Sequence, residues 1–244
     1  MDSFDIVTSF AIILLAAAIH ASFQLSVSVL TLLSGHALGR KSAHSRLLKL
    51  VYGFIAGAGT MTVLLLSTFA FILLLGATTD TLPTLWILAA GLAIIVGIGV
   101  WFFYYGKDRG TTLWIPRSFA QFLADRSKHS KNTAEAFGLG MTSIFAEILF
   151  VFVPIIITAL ALTELPYDLQ LLGIFVYTLV SLAPLLFVGM RINRGHKLSH
   201  IQKWRETNKH FLQFAAGSGL LVLGMYVYVE RVMHVAILPF GGGY

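Results

Sequence analysis

Between positions 132 and 165 the chain reads NTAEAFGLGMTSIFAEILFVFVPIIITALALTEL, an apolar stretch long enough to cross a bilayer that carries one carboxylate, Glu147, near its middle. An acid at that depth costs roughly 2.5–3.5 kcal/mol on insertion scales, so such a residue faces a bundle interior or a water-filled path rather than lipid. Asn132 is placed to cap the helix, and Glu135, three residues on, completes a capping box. Pro154 lacks a backbone donor and is expected to break the helix two turns beyond Glu147, as Pro184 is expected to do in a later run. A helix interrupted beside a buried acid is how many transporters expose backbone to a substrate.

Five further apolar runs accompany this one, at 6–33, 50–75, 84–105, 169–190 and 211–229. With 57% hydrophobic and only 11% charged residues among 244, the chain reads as one integral membrane domain, an all-α membrane protein of six transmembrane helices. Its parts are a first unit over 6–105, a loop over 106–131, a second unit over 132–229 and a tail over 230–244. The short acidic start MDSFD lacks the basic region of a cleaved signal, so the first run is expected to stay in the mature protein.

Charge orients these runs. Sixteen of the seventeen Lys and Arg residues fall in the loops 34–49, 106–131 and 191–209, leaving only Arg231 elsewhere, while Asp80, Glu164 and Asp168 mark the other side. Basic loops stay cytoplasmic, so both termini are expected outside, in a bacterial cytoplasmic membrane. Three spans per half then make any repeat inverted in the membrane. Sliding the first half by 127 residues places Phe10 on Phe137 and His20 on Glu147. The net charge of +6 comes without a groove-reading motif, which argues against nucleic acid. The absence of cysteine excludes disulfides and thiolate metal sites.

Within the spans, the costly groups are the candidates for function. His20 and Gln24 are four residues apart and share a helix face. If the repeat holds, that face meets Glu147 near the midplane, forming a cluster able to bind a cation or move a proton. The structural alternative is a hydrogen bond locking spans one and four. Gly53 and Gly57 give span two a surface that lets another helix approach closely. Trp86 and Trp101 mark the two interfaces of span three. In the loop, IPRSFAQFLADRSK places Phe119, Phe122 and Leu123 on one side, either as a short surface helix or as an ordinary connector. His196 and His200 have the i, i+4 spacing of metal ligands but no third ligand nearby, so no metal is assigned, and no cofactor is expected. No HExxH, phosphate-binding glycine loop or nucleophile constellation is present, which argues against an enzyme.

The stretches LSGHALGRKSAHSRLLKLVYGFIAGAGTMTVLLL and FLQFAAGSGLLVLGMYVY, with the plan of three plus three spans, resemble the LysE/CcdA/DsbD-type transporter superfamily. That resemblance implies a six-helix inverted-repeat fold. The thiol-transferring branch carries a cysteine in the first span of each half, where this chain has His20 and Glu147, so electron transfer by that route is not implied. Two functions stay open. One is a small secondary transporter or exporter of a cation or small polar solute. The other is a non-transporting subunit, scaffold or biogenesis factor, with a membrane-protein partner or a second copy of itself.

Overall fold

The computed structural model describes residues 3–23, 27–30, 41–103, 122–123, 125–126, 132–194, 203–204 and 207–233, and every regular element among them is helical. In order these are α1 (Ser3–Ser22), α2 (Lys41–Gly76), α3 (Leu82–Phe103), α4 (Thr133–Ala146), α5 (Ile148–Thr163), α6 (Tyr167–Ser181), α7 (Ala183–Asn193) and α8 (Lys209–Val227). A π-helical segment, Tyr228–Met233, extends α8. By length and apolarity α1, α2, α3 and the extended α8 can each cross a membrane, and the number reaches six if the bent pairs α4–α5 and α6–α7 are each one span.

Side chains are distributed as a bilayer requires. Small residues such as Ala16, Ala17, Ala58, Ala93 and Ala159 are fully buried at helix contacts, while Phe71, Leu75, Leu88, Ile95 and Leu171 turn outward. Lipid is as apolar as these outer side chains, so association rests on close packing of small groups rather than on hiding large ones. Two buried clusters result. One joins α1, α3, α5 and α8 with Leu66, Ala70 and Tyr177. The other joins residues 27–30, the first half of α2, Leu123, α4, Leu182 and α7.

The closest helix contacts are made by glycine. Along α2, Gly53 faces Thr133 and Gly57 faces the main chain of Phe137, and α4 returns Gly140 against Phe54 and Ala58. The numbering rises together on both helices, so α2 and α4 run parallel. A Cβ at Gly57 or Gly140 would strike a carbonyl oxygen. The α3–α8 pair is antiparallel: Gly97 rests on the Gly217 carbonyl, Leu220 and Leu221, and Gly224 rests on the Ala90 carbonyl, Ala93 and Ile94. Around them α1 packs on α5, α6 and α8, and α5 also touches α2 and α3.

Four sequence expectations change. Span one, expected over 6–33, ends as α1 at Ser22, whose hydroxyl bonds the Ile19 carbonyl at 2.6 Å while the Phe23 N–H bonds the His20 carbonyl at 3.1 Å. Such i to i−3 bonds tighten and close a helix end. The helix of span two starts at Lys41, and its stretch apolar enough to cross a membrane at Ser45, rather than at 50, because Leu47 is buried and extends the apolar stripe. Span four breaks, but at Glu147 and not at Pro154: α4 and α5 meet there at 81°, and α5 runs uninterrupted through Pro154. The cause is packing. Glycine contacts with α2 fix the axis of α4, the first cluster fixes that of α5, and the chain turns where these directions meet. Trp86, expected at a lipid interface, is only 2% exposed and lies inside the bundle. In the loop, Leu123 is buried in the second cluster whereas Phe122 is exposed beneath the Arg126 guanidinium. Phe119, His196 and His200 lie outside the described residues.

Candidate functional site

His20 sits in the last turn of α1, 4% exposed. Its Nδ1 lies 2.9 Å from the hydroxyl of Tyr177, a fully buried residue of α6, and this is the ring's one hydrogen bond among the described residues. The two rings stand 5.7 Å apart between centroids. Each partner of this bond can act as donor or acceptor, according to the imidazole tautomer. Sequence reasoning missed Tyr177, which stands 157 residues from His20.

Glu147 is 3% exposed and occupies the corner between α4 and α5 with φ −83° and ψ 2°. Those angles belong to the sparsely allowed bridge region, which is common at functional sites. Its N–H bonds the Ile144 carbonyl at 3.1 Å, and its own carbonyl accepts the N–H of Phe150 at 2.8 Å and of Val151 at 3.1 Å. One turn along α5, Pro154 has no N–H to offer the Phe150 carbonyl, so that helical bond is not made there. Pro184 lies at the second bend, of 52°, as the second residue of α7 just after Leu182. There its missing N–H is one that a helix start leaves unpaired anyway.

The two polar positions are joined through their neighbours. The Phe23 N–H bonds the His20 carbonyl, the Phe150 N–H bonds the Glu147 carbonyl, and the two phenyl rings stack at 5.6 Å and 25°. His20 and Glu147 therefore each lie three residues before one member of a single aromatic contact. Gln24 lies outside the described residues. Gly53 and Gly57 stand on α2 facing α4, whose end carries Glu147.

A second polar cluster, unforeseen from the sequence, closes one end of the bundle. Arg231 in the π segment pairs with Glu164 at 3.0 Å, donates to the Ser9 hydroxyl of α1 at 2.7 Å and lies 5.8 Å from the Trp86 ring centre. Trp86 Nε1 donates to Glu164 Oε1 at 2.8 Å. Both charged side chains are largely buried, at 13% and 19% exposed. Burial pushes the Glu164 carboxyl above its ordinary range; Asp5 adds to this, and Arg231 and the Trp86 N–H oppose it. The available sign was Arg231 itself, the one basic residue outside the three basic loops. Among the described residues no three His, Cys, Asp or Glu side chains are grouped to hold a metal.

Compared with known proteins, the chain matches no family model, no curated protein and no solved structure.

Proposed function

We propose that this protein is a small secondary transporter or exporter of a cation or small polar solute, working around His20, Tyr177 and Glu147 between two inverted three-span repeats. The carrying observation is that both costly residues end a helix, are buried, and are joined through the Phe23–Phe150 stack. Interrupted helices inside a bundle are where transporters hold ions and polar solutes.

An offset of 127 residues supports the repeat. It carries Phe23 onto Phe150 and His20 onto Glu147, with the same carbonyl-to-phenylalanine bond in each copy. It carries Leu82, the first residue of α3, onto Lys209, the first of α8. Under it Gly97 becomes Gly224, and the neighbours Gly217, Leu220 and Leu221 become Ala90, Ala93 and Ile94, as a two-fold axis between antiparallel helices requires. In this reading α4–α5 is the counterpart of α1, and α6–α7 that of α2. The basic loops lie in the cytoplasm and both termini outside, as charge bias favours. Single cysteines at Ser42 and Ser199 are then shielded from an impermeant reagent in sealed cells, while one at Thr79 is labelled; the reverse pattern overturns the orientation.

One observation favours the alternative, a non-transporting membrane subunit. The side chains of α1 and α5 flanking the polar pair, among them Ile12, Ile13, Ala16, Ile155 and Ile157, are fully buried, as in a filled core. The deciding experiment is uptake by proteoliposomes over a panel of cations and amino acids, wild type beside Glu147→Gln. The transporter reading expects coupled transport to fall at least about a hundredfold with thermal stability kept. Identical pH profiles for the two proteins remove Glu147 from the mechanism.

A further inference from the structure

The four residues Ser9, Trp86, Glu164 and Arg231, which meet at one end of the bundle, are not repeated in the sequence by the 127-residue offset. Under the 127-residue offset Trp86 corresponds to Gln213 and Ser9 to the buried Ala136. Gln213 repeats part of Trp86's role. Trp86 near the start of α3 meets Arg231 beyond the end of α8, and Gln213 near the start of α8 donates to the Val100 and Trp101 carbonyls at the end of α3, at 2.8 and 2.6 Å. The charges are not repeated, for the counterparts of Glu164 and Arg231 are Ala37 and Tyr104. The helix geometry departs at the same place. Trp101, Phe102 and Phe103 are α-helical, while their counterparts Tyr228, Val229 and Glu230 are the first π-helical residues, leading into Arg231. Such π segments recur at functional positions.

The cluster ties together the elements on which the central site depends. Ser9 is on α1, whose last turn holds His20, and Glu164 caps α5, which starts beside Glu147. Between cluster and site the two helices present Ile12, Ile13, Ala16, Ile155 and Ile157, all fully buried. Apolar contacts between spans have no hydrophobic drive of their own in lipid, so the directional bonds at this end weigh heavily in holding it shut. Those bonds are incomplete, since among the described residues Arg231 Nε and Glu164 Oε2 are buried without a hydrogen bond, Oε2 meeting Arg231 as an ion pair.

We propose that Ser9, Trp86, Glu164 and Arg231 form a gate at this end, and that the apolar packing of α1 against α5 and α6 opens toward His20 when Arg231 leaves Glu164. The gate rests on the transporter reading. Its pH dependence follows from the groups around Glu164: Asp5 from α1, Arg231 from the π segment and the uncharged Trp86 from α3, with Tyr226 and Glu230 beside Arg231. Because burial holds the Glu164 carboxyl above its ordinary range in the shut state, the shut state binds the proton more tightly than a state with Glu164 in water. Acid therefore favours closure, and raising pH through the elevated value favours opening.

The test uses the full chain in proteoliposomes, with single cysteines at Ile13 in that packing, at Ile192 in the other buried cluster and at exposed Thr79 as the reference. Rates of labelling by a maleimide are read relative to the reference. Arg231→Met, which leaves a buried Glu164 without its cation, should raise labelling at position 13 about tenfold or more and leave position 192 unchanged, whereas Glu164→Gln, which keeps this side chain in the uncharged form that favours closure, should hold position 13 near the wild-type rate at low pH and remove its pH dependence. The neutral pair Glu164→Leu with Arg231→Met should return position 13 to near the wild-type rate and abolish its pH dependence, because apolar packing replaces a buried ion pair well. No rise at position 13 in folded Arg231→Met, a rise there in folded Glu164→Gln, or an equal rise at positions 13 and 192, overturns the gate. Where a single variant does not fold, the wild type decides: relative labelling at position 13 should rise with pH, and a flat profile overturns the gate. Any of these failures alongside transport that still depends on Glu147 leaves the function standing without the gate.

Discussion

What Gly97 meets on α8, Gly224 meets on α3, residue for residue, whereas α1 runs to Ser22 as one helix and its proposed counterpart turns by 81° at Glu147. The α3–α8 contact brings glycines against backbone and side chains alike, which leaves these two helices few ways to differ there. The contact between α1 and α5 is made by larger side chains and carries the polar residues. The difference separates a frame, where the proposed repeats agree, from a centre, where they do not. Alternating access around a fixed site needs that division, since one bundle must move against another.

The largest expected effect falls on the contact that makes the centre unlike. Gly57→Leu drives a side chain into the Phe137 carbonyl, and backbone has no rotamer by which to yield. Overpacking costs about 1–3 kcal/mol where side chains can shift, so more than about 3 kcal/mol is expected here. Thermal unfolding in detergent should show it, with Gly91→Leu, where nothing lies within 4 Å, close to wild type. Equal stability of the two variants removes the α2–α4 contact as the source of the bend.

Next come Gly97→Leu and Gly224→Leu, which test the frame. Each should cost about 1–3 kcal/mol, and the two should agree within about 0.5 kcal/mol because their surroundings match. A clear inequality means that the frame is not shared. The smallest effect is Tyr177→Phe, which removes the phenol from His20 and leaves a buried nitrogen without its partner, at about 1–2 kcal/mol. A loss of transport well beyond that stability change would place Tyr177 in a proton path; a proportional loss would leave it structural.

The sequence made the apolar runs and the buried acid plain, because span length and the cost of a charge depend on composition alone. It misplaced the break. A proline shows a missing donor, but α5 tolerates Pro154, and the bend is decided by how tightly Gly57 and Gly140 hold α4 against α2, a contact across more than eighty residues. Trp86 misled for a similar reason. Its place near a span end suits lipid headgroups, yet Glu164, 78 residues away, accepts its N–H inside the bundle. Arg231 stood out in the sequence only as an exception to the charge bias, with no sign of its partner.

That partner has a consequence for biogenesis. In the proposed orientation Arg231 must be carried across the membrane as the last span inserts, against the bias that keeps basic residues inside. Glu164 leaves the ribosome 67 residues earlier, which at about 5–20 residues per second is on the order of 3–13 seconds. During that interval the half-made protein holds an acid at its outer end with no cation to meet it. Chains that stop before the last span would lack Arg231 and leave Trp86 as the partner of Glu164 in the finished part of the bundle.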